Sequence, residues 1–203
     1  MAAFQIYKIF ARGRMKKTLP TILLIGCEGK TEKLYYDIVA RLYNMSNRVK
    51  TFEEVGELKG VIDFCCKKKK EIAKKLDIEE SEIEAWAVCD DDGRKTKYNE
   101  LLKYAQEHNV KLAYSRPQFE YYLIQHFEQS NEHRRSEIFK ILRKNISNYN
   151  KGTIGNFEEI ATLKPIVIGV AISNSKIRSK KTDKVFITAH ALTSRIIELG
   201  GAW

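Results

Sequence analysis

Few of the residues that punctuate, cross-link or metallate a chain occur here: three prolines, four cysteines and four histidines in 203 residues. Without a Pro- or Gly-rich tract, a repeat or a low-complexity stretch, there is no sign of a linker between independent domains, and the length suits one ordinary domain. The cysteines, Cys27, Cys65, Cys66 and Cys89, include no pair with the two-residue gap of a zinc knuckle or a redox motif. The vicinal pair is poor geometry for a disulfide. Reduced core thiols are expected, as in a cytoplasmic protein. His108, His133 and His190 lack metal-ligand spacing. No apolar run approaches the length that spans a bilayer, and the opening MAAFQIYKIFARGRMKKT is too interrupted for a secretory signal. A soluble protein with no membrane partner is expected.

Positive charge is abundant instead. Lys and Arg number 36 against 26 Asp and Glu, a net charge of +10. Such a field favours polyanions, with nucleic acid ahead of an anionic membrane or an acidic protein. The run Lys67 to Lys70 reads as a solvated helix face that adds salt-sensitive backbone attraction.

Apolar runs alternate with helical periodicity through the first half. Thr21 to Gly26, Glu84 to Val88 and Val110 to Tyr114 read as buried strands, with Asn47 to Glu53 as an edge strand. Glu32 to Asn44, Leu58 to Leu76 and Tyr98 to His108 read as helices. This alternation predicts an α/β fold with a mostly parallel sheet and helices on both faces. From Phe119 the pattern turns to helices: Phe119 to Phe127, Arg134 to Lys144, Phe157 to Leu163, Ile166 to Lys176 and Phe186 to Leu199. The β-branched run Ile166 to Ile172 is compatible with a strand as well. The organisation expected is an N-terminal arm (1–18), a βαβ core (19–116) and a helical C-terminal half of the same domain (117–203).

Two strand ends carry acids. Glu28-Gly29 follows the first strand, and Asp90-Asp91-Asp92-Gly93 follows EAWAV. Ligands of open parallel sheets bind at such ends. With extended backbone, Asp90 and Asp92 point one way and Asp91 the other, which makes an oxygen pair suited to a hard cation such as Mg²⁺. The ordinary alternative is a solvated Asp-Gly turn. Gly26-Cys27-Glu28-Gly29-Lys30-Thr31 imitates a phosphate-binding P-loop. The spacing excludes it, because the position that needs the first glycine is held by Leu24.

The strand leading into CEGKTE, the later strand ending in Asp-x-Asp, and the block SRPQFEYYLIQHF resemble the RloB-like family, which is associated with the TOPRIM catalytic fold and with bacterial phage defence. The helix HRRSEIFKILRK, then Tyr149-Asn150-Lys151-Gly152, then a closing helix with His190 extend the likeness over Leu19 to Leu199. Arg116 and Tyr122 stand where the family more often has Asn and Trp. The resemblance implies that Glu28 is the TOPRIM glutamate and that Asp90 and Asp92 are the metal pair. Glu120 and His126 match its second block, with a helix-start role for Glu120 and a buried, hydrogen-bonded role for His126 as the ordinary alternatives. It further implies Mg²⁺ (or Mn²⁺), cleavage of RNA such as tRNA or of DNA, and an ATPase partner from the same operon. Lys30, Arg94, Lys95, Arg116, Lys151 and the Arg134-Arg135 pair are the candidate nucleic-acid contacts. The rival expectation is a non-catalytic, basic nucleic-acid- or partner-binding subunit.

Overall fold

Near-continuous burial along the central strands, whose side chains alternate between two cores, sets the architecture. In the computed structural model, which describes residues 22–53, 56–94, 98–177 and 184–201, four strands run parallel: β1 (Ile22–Cys27), β2 (Val49–Glu53), β3 (Ile83–Asp90) and β4 (Val110–Arg116). Their order is β2-β1-β3-β4. Leu23, Ile25 and Cys27 enter one core, beneath α1 (Lys30–Leu42). Leu24, Ala85, Ala87 and Cys89 enter a second, beneath α2 (Leu58–Leu76) and α3 (Tyr98–Glu107). The sheet is therefore covered on both faces, as its unbroken apolar runs require. Gly26 lets α2 approach closely: a Cβ there would stand 2.4 Å from Cys65 Sγ. The arm assigned to 1–18 lies outside the described residues.

The second half folds back over α1. It comprises α4 (Phe119–Ile124), α5 (Arg135–Asn145), a hairpin of β5 (Tyr149–Asn150) and β6 (Thr153–Ile154), α6 (Phe157–Leu163) and α7 (Ile166–Ile177), then β7 (Phe186–Ile187) and α8 (Ala189–Gly200). Tyr35 of α1 is fully buried and meets Phe119, Tyr122 and His126 with ring centroids 5.3 to 5.6 Å apart. Its hydroxyl lies 3.1 Å from His126 Nε2 and 3.2 Å from Tyr122 OH, which donates to Thr193 Oγ1 of α8. His126 Nδ1 sits 3.0 Å from the Leu123 carbonyl, so the proton is on Nδ1 and Nε2 accepts. Burial drives the ring down to a pKa of about 4, so it is neutral at pH 7.

Two expectations need correction. Phe186 and Ile187 are not the first turn of the last helix. They pair antiparallel with Arg116 and Ser115 and close the outer edge of β4, and the helix begins at Ala189. Two apolar residues abutting a helix fit its periodicity, and only the need to satisfy the β4 edge decides otherwise. The hairpin at 149–154 was likewise absent from the helix-only reading. The β-branched run at 166 is helical, buried along Ile168, Ala171 and Ser175. No single helix among the described residues is long and apolar enough to cross a membrane. All four cysteines are free thiols, three of them buried.

Candidate active site

Strand order locates the site. β1 lies between β2 and β3, and the helices that follow β1 and β2 cover opposite faces, so the chain reverses direction at the carboxyl ends of β1 and β3. A crevice forms at such a switch point. Glu28 extends the ladder by one bond, its N–H donating to Val88 O at 3.1 Å. That sets it against the end of β3, where the Asp90 N–H donates to Glu28 Oε2 at 3.3 Å. Asp90 is buried on the α1 side, and its Oδ2 accepts the Phe119 N–H at the start of α4, at 3.3 Å. Burial, then the charges of Glu28 and Asp92, pushes Asp90 up to a pKa of about 7.

Asp92 reaches the same crevice by a different route from the one expected. The backbone does not stay extended. Asp92 (φ 38°) and Gly93 (φ 77°) both have positive φ, and the Arg94 N–H closes on Asp91 O at 2.7 Å, the signature of a type I′ turn. The alternation still separates the middle acid. Asp91 turns inward, accepting from Tyr114 OH and from Arg116 Nη2 at 2.9 Å.

A cleft of about 320 Å³ results, lined by six carboxylates (Glu28, Glu32, Glu53, Asp90, Asp92 and Glu120) and by Lys30, Arg94 and Lys151. Glu32 is the third residue of α1 and only 6% exposed. Its Oε2 lies 2.8 Å from where a Cβ on Gly29 would stand, so a glycine there makes its room. Burial, followed by the charges of Asp90, Glu120 and Glu28, lifts it to a pKa of about 8. Glu120, on the first turn of α4, is raised by burial and partly relieved by Lys151 and by the Tyr149 hydroxyl, which donates to it at 3.3 Å. The β5–β6 turn overhangs the cleft, with the Gly152 N–H donating to Thr31 Oγ1 at 3.0 Å.

The named candidates therefore divide. Glu28, Asp90, Asp92, Glu120, Lys30, Arg94 and Lys151 converge on the cleft. Arg135 reaches its edge, 3.6 Å from Asp92. Arg116 is held by Asp91 away from the cleft, and Arg134 by Glu132. His126 belongs to the core, and Lys95 lies outside the described residues. Sequence reasoning missed Glu32 and Glu53. For Glu32 the signal was present in CEGKTE, an acid four residues after Glu28, but glutamate at the third helical position is ordinary capping chemistry and masks it.

The donor set is all carboxylate oxygen, which fits a hard divalent cation. Among the described residues, no group of three or more His, Cys, Asp or Glu side chains stands in a metal-holding arrangement. Glu28 instead receives Arg94 Nη1 at 2.6 Å.

The family model described as RloB-like protein matches residues 23–195. The chain belongs to the RloB-like family. In this RloB-like protein the matched span runs from β1 into α8 and takes in every carboxylate of the cleft. Neither a search of curated proteins nor one of solved structures returned a match.

Proposed function

We propose that this RloB-like protein is a Mg²⁺-dependent phosphodiesterase cutting nucleic acid, the effector of a bacterial anti-phage system. The observation that carries it is the convergence of carboxylates from β1, α1, β3 and α4 on one switch-point cleft with a cationic rim. Buried like charges at this density raise one another's proton affinity, as at Glu32 and Asp90, and a cation relieves that pressure. A glutamate after the first strand and an Asp-x-Asp after the third follow the TOPRIM pattern. The defence role and an operon-encoded ATPase partner rest on the family's associations.

Asp90 and Asp92 would hold the cation, joined by Glu28 once Arg94 turns to a substrate phosphate. A divalent ion held there would supply positive charge to the phosphoryl oxygens. Lys30, Arg94 and Lys151 bind the phosphodiester and stabilise its developing charge. Glu28 would ligate or move a proton at the attacking or leaving oxygen.

Purified protein with Mg²⁺ or Mn²⁺, alone and with the neighbour-encoded ATPase, is incubated with pooled tRNA and DNA beside Asp90→Asn. Cleavage by wild type and at least ~100-fold less by the variant are expected. Equal cleavage, or none under any condition, overturns the reading. A second reading has one observation in its favour: the Arg94–Glu28 pair already neutralises part of the acid cluster. A non-catalytic nucleic-acid-binding subunit would bind in EDTA and never cleave.

A further inference from the structure

α5 leads away from the cleft, and its residues 135, 139 and 143 are four apart, on one face of the helix. Arg135 stands at the cleft edge beside Asp92. The guanidinium carbons of Arg135 and Arg143 each lie 5.7 Å from the centroid of the Phe139 ring, within cation–π reach. That ring packs edge-on against Tyr149 at 5.8 Å, and Tyr149 in turn hydrogen-bonds Glu120 in the cleft. Phe139 is thus fixed to the cleft wall and carries two guanidiniums, their Cα atoms ~12 Å apart along the axis.

Two neighbouring cations are paired with acids. Lys140 pairs with Glu137 at 2.8 Å, and Arg134 with Glu132 at 2.9 Å. Arg143 is exposed, with no acidic partner at ion-pair distance among the described residues.

We propose that the α5 face of Arg135, Phe139 and Arg143 is a binding track for a single nucleic-acid strand leading to or from the cleft. Guanidinium groups match phosphate in bidentate geometry and stack on bases. Aromatic and arginine side chains beside a positive groove are how single strands are held without sequence preference. The track is one helix face wide and ends in a cleft of about 320 Å³, which suits a strand rather than a duplex. This inference rests on the nucleic-acid reading of the cleft, not on its catalysis.

The test uses the full chain in EDTA with fluorescein-labelled 12-nucleotide RNA, 12-nucleotide DNA and a 12-base-pair DNA duplex. Anisotropy is followed across KCl concentrations. Expected are tighter binding of single strands than of duplex and weakening of about fivefold or more in Arg143→Gln, with a log K against log[salt] slope flatter by about 0.7. Lys140→Gln should stay within about twofold, because its charge is already paired. Wild-type-like binding by Arg143→Gln, or preference for the duplex, overturns the track. Because no metal is present, loss of binding in Arg143→Gln upholds the track even if cleavage is never seen. RNA against DNA distinguishes the source of the strand.

Discussion

Glu32 and Asp90 hold protons that free carboxyl groups would have lost, to pKa values of about 8 and about 7. A group whose native pKa is raised binds more protons folded than unfolded, so stability falls as pH rises through the native value. His126 and His190, both lowered to about 4 by burial, act in the opposite sense but only between their native values and their ordinary one near 6.5. Above about pH 7.5 the histidines no longer contribute, and the thiols of Cys27 and Cys89, raised by burial, add to the carboxylates' loss as pH nears the ordinary thiol range. Metal-free protein should therefore lose about 2 kcal/mol between pH 6.5 and pH 8.5 through Glu32. Urea melts in EDTA measure this, and Glu32→Gln should flatten the profile. Mn²⁺ should raise the melting temperature more at pH 8.5 than at pH 6.5. A second residue-level test lies in the core. Tyr35→Phe removes the donor facing His126 Nε2 and leaves a buried acceptor unpaired, at a cost of about 1–3 kcal/mol in urea unfolding. His126→Leu in the same chain should recover part of that loss.

Elements were legible wherever periodicity was long and uninterrupted. Leu58–Leu76 and Phe157–Leu163 match the expected spans, and β1, β3 and β4 differ by a few residues at their ends. Short pieces that exist only through pairing were not legible: β7 is two residues long and is defined by the edge of β4. The same holds at the site. Glu28 and Asp90 could be placed from local sequence, because strand ends and parallel order bring them together. Glu32 stands in CEGKTE but reads there as ordinary helix-start chemistry, and Glu120, expected only through the family resemblance, reaches the cleft by the packing of α4, which no local pattern encodes. The closeness of these elements has a measurable consequence at Gly26. Gly26→Ala puts a methyl 2.4 Å from Cys65 Sγ and should destabilise by about 1–3 kcal/mol. Cys65→Ala in the same chain should restore much of that in a double-mutant cycle.

At the scale of the molecule, a +10 chain presents an acidic cleft framed by Lys30, Arg94 and Lys151. The general field attracts a polyanion from any direction. On the proposed reading, the cleft is where carboxylates, a cation and a phosphodiester meet. Nucleic-acid affinity should accordingly fall steeply with salt, whereas cleavage should depend on Asp90 and on divalent cation at any salt that still permits binding. The most direct measurement is cleavage of pooled tRNA and DNA by wild type and Asp90→Asn in Mg²⁺, with and without the proposed ATPase partner, alongside an EDTA control. The account predicts products only from wild type and only with the metal. Equal cleavage by the variant, cleavage in EDTA, or no cleavage by wild type under any of these conditions would contradict it.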